Sequence, residues 1–240
     1  MTDSYTVGDL VAEFLQACGG ETAFGVISVH NIPMLDGIGR RNAIRFVTAR
    51  GEAGAGHMAD AYGRARNQLS VLFTSTGPGA ANAVGALVEA RFAGAPLLHL
   101  TGQTATANLG RHQGTVHEVA DQLGMLASVS KYACRVTSPQ TAWGTLCHAA
   151  AQALTPPMGP VSVEIPIDIQ RATVSRPSDL DHFSLPITRL PEPKADMLDK
   201  VADKLATARR PLLWCGNGAR FAGEAVGRLA DMGLPGMTSW

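Results

Sequence analysis

The 240-residue chain lacks the marks of several functional classes. Its 20 Lys and Arg residues match its 20 Asp and Glu residues, so no charge excess is available to hold nucleic acid or an anionic membrane. No apolar run approaches the roughly 18 residues that a helical membrane span requires. The opening MTDSYTVGDL has no basic stretch leading into an apolar one and does not read as a secretory signal. Cys18, Cys134, Cys147 and Cys215 are scattered with no CxxC pair among them. They read as reduced thiols of a cytoplasmic protein, not as a disulfide frame or zinc site. What the chain does have is apolar side chains, at 45%, enough for a sizeable core.

That apolar content is arranged as strands alternating with helices. Thr6 with Asp9 forms a capping box ahead of the apolar face Leu10, Val11, Phe14 and Leu15, and Gly19-Gly20 closes that helix. AFGVI (23–27), IRFVT (44–48), LSVLFTS (69–75), PLLHLTG (96–102), KYACRV (131–136) and PVSVEIP (160–166) read as strands. Helical stretches fall at 31–40, 80–93, 118–127 and 139–154. The pattern predicts an α/β fold, a parallel sheet of about six strands with helices on both faces. Ligands of such sheets bind beyond the carboxyl ends of the strands, which singles out loops 28–31, 49–52, 75–80 and 102–117.

From Arg171 to Pro193 the periodicity stops and prolines accumulate, as in a linker. ADMLDKVADKLATA and RPLLWCGNGA then open a second helix–strand pattern too short to bury a comparable core. The expectation is a truncated chain, or one completed by a partner: a first domain over 1–172, a linker over 173–194 and the start of a second α/β domain over 195–240.

Three loops could carry chemistry. RGEAGAGHMADAYGRA (50–65) places Glu52 at the head of a helix made largely of alanine and glycine. A glutamate suits a helix N-terminus in any case, but small neighbours also let another group come close. TSTGPGAAN (74–82) is a glycine turn between strand and helix; it lacks the P-loop lysine, GxGxxG and GxSxG, and reads equally as a plain connection or a ligand loop. LTGQTATANLGRHQGTVHE (100–118) is a long polar loop whose His112 and His117 have no third metal ligand in view.

Taken in order, RGEAGAGHMADAYGRA, TSTGPGAANAVGAL, PLLHLTGQ, the polar loop ending in HE, Lys131 and GPVSVEIPIDIQ resemble one family. It is the amino-terminal, pyrimidine-binding domain of thiamine-diphosphate enzymes of the acetolactate synthase, benzoylformate decarboxylase and pyruvate oxidase superfamily, matched over about residues 4 to 172. The resemblance implies decarboxylation or carboligation of a 2-oxo acid. It places Glu52 against N1′ of the cofactor's aminopyrimidine, favouring the tautomer whose 4′-nitrogen deprotonates thiazolium C2, with the thiazolium as electron sink. Arg50, Met58, Ala59, Asp60, Tyr62 and Arg64 complete that motif; Gly77, Pro78, Gly79 and Asn82 line the cofactor.

The chain also departs from the family. The usual Gly-x-Pro-Gly of the first loop is replaced by GVISVHN (25–31), and Phe-Gln-Glu is absent after TGQ. His30, Asn31, Gln113 and His117 occupy these substrate-side places instead. The Gly-Asp-Gly…Asn segment that holds magnesium and the diphosphate does not occur, so magnesium is expected on a carboxyl-terminal domain outside these residues. The resemblance leaves FAD open without indicating it, and it implies a homodimer or homotetramer with sites between subunits. A non-catalytic binding or regulatory relative of the same fold is the alternative; the retained Glu52 speaks against it.

Overall fold

The computed structural model describes residues 4–185, 187 and 191–238. The chain forms two compact units, Met1–Thr188 and Arg189–Trp240. In the first, α1 (Val7–Ala17) follows the Thr6 capping box: Asp9 N–H donates to Thr6 Oγ1 at 3.2 Å and Thr6 N–H donates to Asp9 Oδ2 at 2.8 Å. There follow β1 (Thr22–Gly25), α2 (Ile32–Arg41), β2 (Arg45–Thr48), α3 (Glu52–Arg66), β3 (Ser70–Thr74), α4 (Pro78–Asn82), α5 (Val84–Ala93) and β4 (Leu97–Gln103). The unit continues with α6 (Gln122–Val129), β5 (Tyr132–Arg135), α7 (Ala142–Leu154), β6 (Val161–Pro166) and α8 (Ile167–Arg171).

All six strands are parallel, in the order β2-β1-β3-β4-β6-β5. The α/β expectation of about six strands holds. Burial explains the strand sequences: β3, β4 and β6 are buried at every position, whereas the edge strands β2 and β5 are not. Central parallel strands are covered on both faces and therefore carry continuous apolar runs. One core joins Leu10, Phe14, Leu15, Met34, Leu146 and Ala150 to the sheet. A second joins Ala55, Ala59, Leu72, Leu87, Leu97 and Leu126.

Several helices differ from the sequence expectation: α8 lies outside it, α7 begins at Ala142 after a 3-10 turn over Pro139–Thr141, and two others start elsewhere. The helix expected at 80–93 begins at Pro78, whose fixed φ suits a first turn, and tightens at Ala83, whose N–H donates to Ala80 O at 3.2 Å, before resuming as α5. The one expected at 118–127 starts four residues later, because Asp121 caps it by accepting from Gly124 N–H at 2.8 Å. Lys131 ends α7: its Nζ donates to the carbonyls of Gln152 and Thr155, both at 2.6 Å. Residues 173–185 of the expected linker lie against this unit, with Val174 N–H donating to Tyr5 O at 2.9 Å and the Phe183 ring 4.9 Å from that of Trp143.

The second unit contains α9 (Ala195–Thr207), β7 (Leu213–Cys215), α10 (Gly223–Asp231) and β8 (Gly236–Thr238), with β7 and β8 paired in parallel. None of its described helical residues is buried, and Met197, Leu198, Val201, Trp214 and Met237 are exposed. Among the described residues no helix is long and apolar enough to cross a membrane.

One polar chain crosses the buried sheet. His99 on β4 has Nε2 2.8 Å from Thr74 Oγ1 and Nδ1 2.9 Å from Ser162 Oγ, and Ser162 Oγ lies 2.8 Å from Ser130 Oγ. Burial pushes the His99 imidazole down to about 3, so it is neutral in the fold. A histidine with a depressed folded pKa contributes full stability above its unfolded value of about 6.5, and loses it as pH falls from there toward the folded value. Urea unfolding between pH 7 and 4 should therefore show stability falling by up to about 1.4 kcal/mol per pH unit more in the native protein than in His99→Gln. Parallel pH profiles would remove His99 as the cause.

Candidate active site

Because β1, β3 and β4 are neighbours in a parallel sheet, their carboxyl ends open on one edge, with Gly25 paired to Phe73 and Thr74 to Thr101. The loops after them, together with the start of α3, bring the site together. Gly51 is extended and caps α3 without a side chain, so Glu52 enters directly on the first turn. Glu52 is only 8% exposed, an unusual degree of burial for a carboxylate with no cation at hand. Its Oε2 accepts from Asn82 Nδ2 at 3.3 Å; its Oε1 accepts no hydrogen bond among the described residues.

The turn after β3 presses against that carboxylate. A Cβ on Gly79 would stand 2.8 Å from Glu52 Oε1 and 2.6 Å from Ser75 Cβ, so only glycine fits. Gly77 has φ +54°, and a Cβ there would lie 2.0 Å from the carbonyl oxygen of His117. Both the backbone conformation and the packing of the 104–121 loop thus require glycine. Pro78 follows at the first turn of α4, exposed.

The first loop is tied to this turn by Ser28, whose Oγ is 2.6 Å from Ser75 Oγ. Asn31 is fully buried; its Oδ1 accepts from Ser28 N–H at 2.8 Å and its Nδ2 donates to Val26 O at 2.9 Å. Its amide therefore shapes its own loop. His30 is buried, with Nδ1 unpartnered, and its ring lies 5.6 Å from that of the exposed His117. Burial, and beside it the His117 imidazole, hold His30 below its ordinary range. Gln113 is exposed on the 104–121 loop and makes no hydrogen bond among the described residues. His117, like His112, has a positive φ, a backbone state imposed by the loop.

The rest of the Glu52 motif is structural at its core. Asp60 is buried and accepts from Arg64 Nη2 at 2.6 Å. The Tyr62 ring packs 5.6 Å from that of Phe24, while Arg50, His57 and Met58 are exposed. Arg91 donates to Ser128 O at 3.2 Å.

Sequence reasoning missed the group beneath the glycine turn. Gln122 Oε1 accepts from Gly77 N–H at 2.5 Å and lies 2.9 Å from Thr76 Oγ1, and its Nε2 donates to Gly102 O at 3.1 Å. Gln103 Nε2 donates to the buried Glu164 at 3.3 Å, and Arg135 Nε pairs with the same carboxylate at 2.7 Å. Burial pushes Glu164 up, against the pull of Arg135 and the two glutamines. Gln170 on α8 holds the first loop from behind, donating to His30 O and Ile165 O at 2.7 Å each. The signal for Gln122 was available: it stands one turn before the fully buried Leu126, on the inward face of its helix. Nothing in the sequence pairs Ser28 with Ser75.

Comparison with known proteins matches residues 5–125 to the family described as "Thiamine pyrophosphate enzyme, N-terminal TPP binding domain". A probable 2-ketoarginine decarboxylase of Pseudomonas aeruginosa is 34% identical over 229 residues, spanning 94% of this chain and 40% of that protein. The acetolactate synthase large subunit of Lactococcus lactis is 28% identical over 216 residues, 90% of this chain and 37% of its own length. Among solved structures, the thiamine diphosphate-dependent 4-hydroxybenzoylformate decarboxylase of Rhodococcus jostii superposes with a TM-score of 0.77 at 25% identity, covering 88% of this chain and 39% of that one. The chain thus spans at most 40% of the length of these relatives.

Gly77→Ala should lower stability in urea by about 1–3 kcal/mol, because it adds a strained φ and a clash at one position. It should also make the 104–121 loop more sensitive to protease. An unchanged unfolding midpoint would mean that the loop does not pack on the turn.

Proposed function

Because this chain belongs to the thiamine pyrophosphate enzymes by their N-terminal TPP-binding domain, we propose that it supplies the aminopyrimidine half of a thiamine diphosphate site in an enzyme that decarboxylates or ligates 2-oxo acids. The observation that carries this reading is Glu52: a nearly buried carboxylate, cradled by Gly79, with one oxygen free of partners. Such a group fits a flat heterocycle whose ring nitrogen shares a proton with it. When bound, the cofactor supplies an electron sink for the carbon left as the bond to the substrate carboxyl breaks.

The residues of the chain divide the remaining work. Glu52 exchanges a proton with N1′ of the pyrimidine; poor hydration makes that exchange easier. Asn82 orients the Glu52 carboxylate, and the backbone of Gly77, Pro78 and Gly79 lines the ring. His30 and His117 face the substrate, where the His30 imidazole, held below its ordinary range by burial, can take up and return a proton. Asn31 shapes the His30 loop, and Gln113 belongs to the substrate-side loop that carries His117. A binding module without chemistry would have no use for a proton-sharing carboxylate, which favours the enzyme reading.

The wider assignments follow from the same reading. Residues 1–172 form the pyrimidine-binding domain, 173–194 the connection and 195–240 the opening elements of a second α/β domain. Magnesium and the diphosphate are assigned, from the family resemblance, to a carboxyl-terminal domain outside these residues. No feature calls for FAD. The apolar side chains Met58, Val88 and Phe92, exposed on the neighbouring helices α3 and α5, support a homodimer or homotetramer. Four free cysteines, all partly accessible, support a cytoplasmic setting.

Two outcomes test the proposal. In full-length protein loaded with thiamine diphosphate and magnesium, Glu52→Gln should keep its circular dichroism while C2-proton exchange of the cofactor slows ~10²–10⁴-fold; near-native exchange would refute the role. Separately, His30→Ala and His117→Ala should each reorder kcat/KM across a panel of 2-oxo acids. Native ranking and rates in both would move substrate selection elsewhere.

A further inference from the structure

Gln122 stands outside every motif that points to the Glu52 site, yet it is joined to that site through a short chain of contacts. It is 1% exposed at the first position of α6, behind its Asp121 cap. Its single carboxamide engages three groups, two from the turn after β3 and one from the last residues of β4: Gly77 N–H, the Thr76 hydroxyl and Gly102 O. Thr76, Gly77 and Gly102 are all buried. Thr76 and Gly77 are also the residues that aim the turn at Glu52. Two positions on, Gly79 meets the Glu52 carboxylate, and α4 ends at Asn82, the residue that donates to it.

We propose that Gln122 is a positioning residue for this site: it sets the 76–79 turn, and through Gly79 and Asn82 it sets the Glu52 carboxylate. This rests on the reading of Glu52 as the group that meets the aminopyrimidine. The geometry distinguishes a positioning role from filling of space. An apolar side chain of the same length occupies the volume but leaves the Gly77 amide without an acceptor, so the turn is free to rotate. A displacement on the order of 1 Å at a reacting group costs about 10²-fold in rate.

The test uses full-length protein with thiamine diphosphate and magnesium, comparing Gln122→Met and Gln122→Glu with the native protein. Three quantities are read: thermal midpoint, C2-proton exchange of the bound cofactor, and kcat and KM for a 2-oxo acid. Gln122→Met should slow exchange and kcat by at least about tenfold while KM shifts less than about threefold, as expected for lost orientation rather than lost substrate binding. Gln122→Glu, protonated at low pH, reproduces both the acceptor and the donor of the amide; when ionised it faces Gly102 O without a proton. Its kcat should therefore approach native values at acid pH and fall as pH rises, a limb absent from the native profile.

A folded Gln122→Met with a lowered midpoint but native exchange and kcat would overturn the proposal and leave a purely structural residue. Where Gln122→Met does not fold, Gln122→Glu decides, and a native pH profile in it overturns the proposal. If the native protein itself neither binds thiamine diphosphate nor exchanges C2, the underlying reading of Glu52 fails, and with it this one. Native binding and exchange with unaffected variants would refute Gln122 alone.

Discussion

The closest constraint in the first unit is the approach of a backbone to a carboxylate. Gly79 can stand beside Glu52 Oε1 only because it has no Cβ, and Ser75 closes the other side of the same space. For this to happen, the head of α3 and the turn after β3 must reach one point from different crossovers. The sheet order makes that possible. With β1 and β4 flanking β3, the first loop, the glycine turn and the 104–121 loop converge, while α3 and α5 share the face covered by the second core. Every other feature of the site is a consequence of keeping these loops together.

They are kept together by polar contacts between distant segments. Ser28 joins Ser75, Gln122 joins the turn to Gly102, and Gln170 holds the His30 carbonyl. Gln122 supplies the acceptor for the buried Gly77 N–H, a group whose loss of a partner costs about 1–3 kcal/mol. Such networks define geometry more sharply than apolar packing, because a hydrogen bond is directional. Beneath them Arg135 pairs with Glu164 at the end of the sheet, and His99 stays neutral between two hydroxyls. The unit therefore buries several ionisable groups, and Glu52 is held among them by Asn82 alone among the described residues.

The second unit behaves differently. Its helices bury nothing, and Trp214, Phe221 and Met232 stand exposed. A helix with an apolar stripe gains stability only when that stripe is covered. The unit's described elements run helix, strand, helix and strand, with the two strands paired in parallel.

Local pattern was enough for the elements. Continuous apolar runs identified β3, β4 and β6, the capping box located α1, and the combined motifs around Glu52 and Gly77 identified the family. These features are legible because periodicity, capping and turn chemistry depend on near neighbours in the chain. The helix starts at Pro78 and Gln122 were displaced from expectation, since a cap and a proline act residue by residue and not on an average. What only the tertiary structure decided was the set of partners across distant segments. Asn31 shapes its own loop, Gln113 stands apart, Ser28 finds Ser75, and Gln122 lies under the glycine turn 45 positions earlier in the chain. The sequence determined which side chains were available at the carboxyl ends of the strands; the strand order determined which of them met, because in a parallel sheet neighbours in space are separated by whole crossovers in sequence.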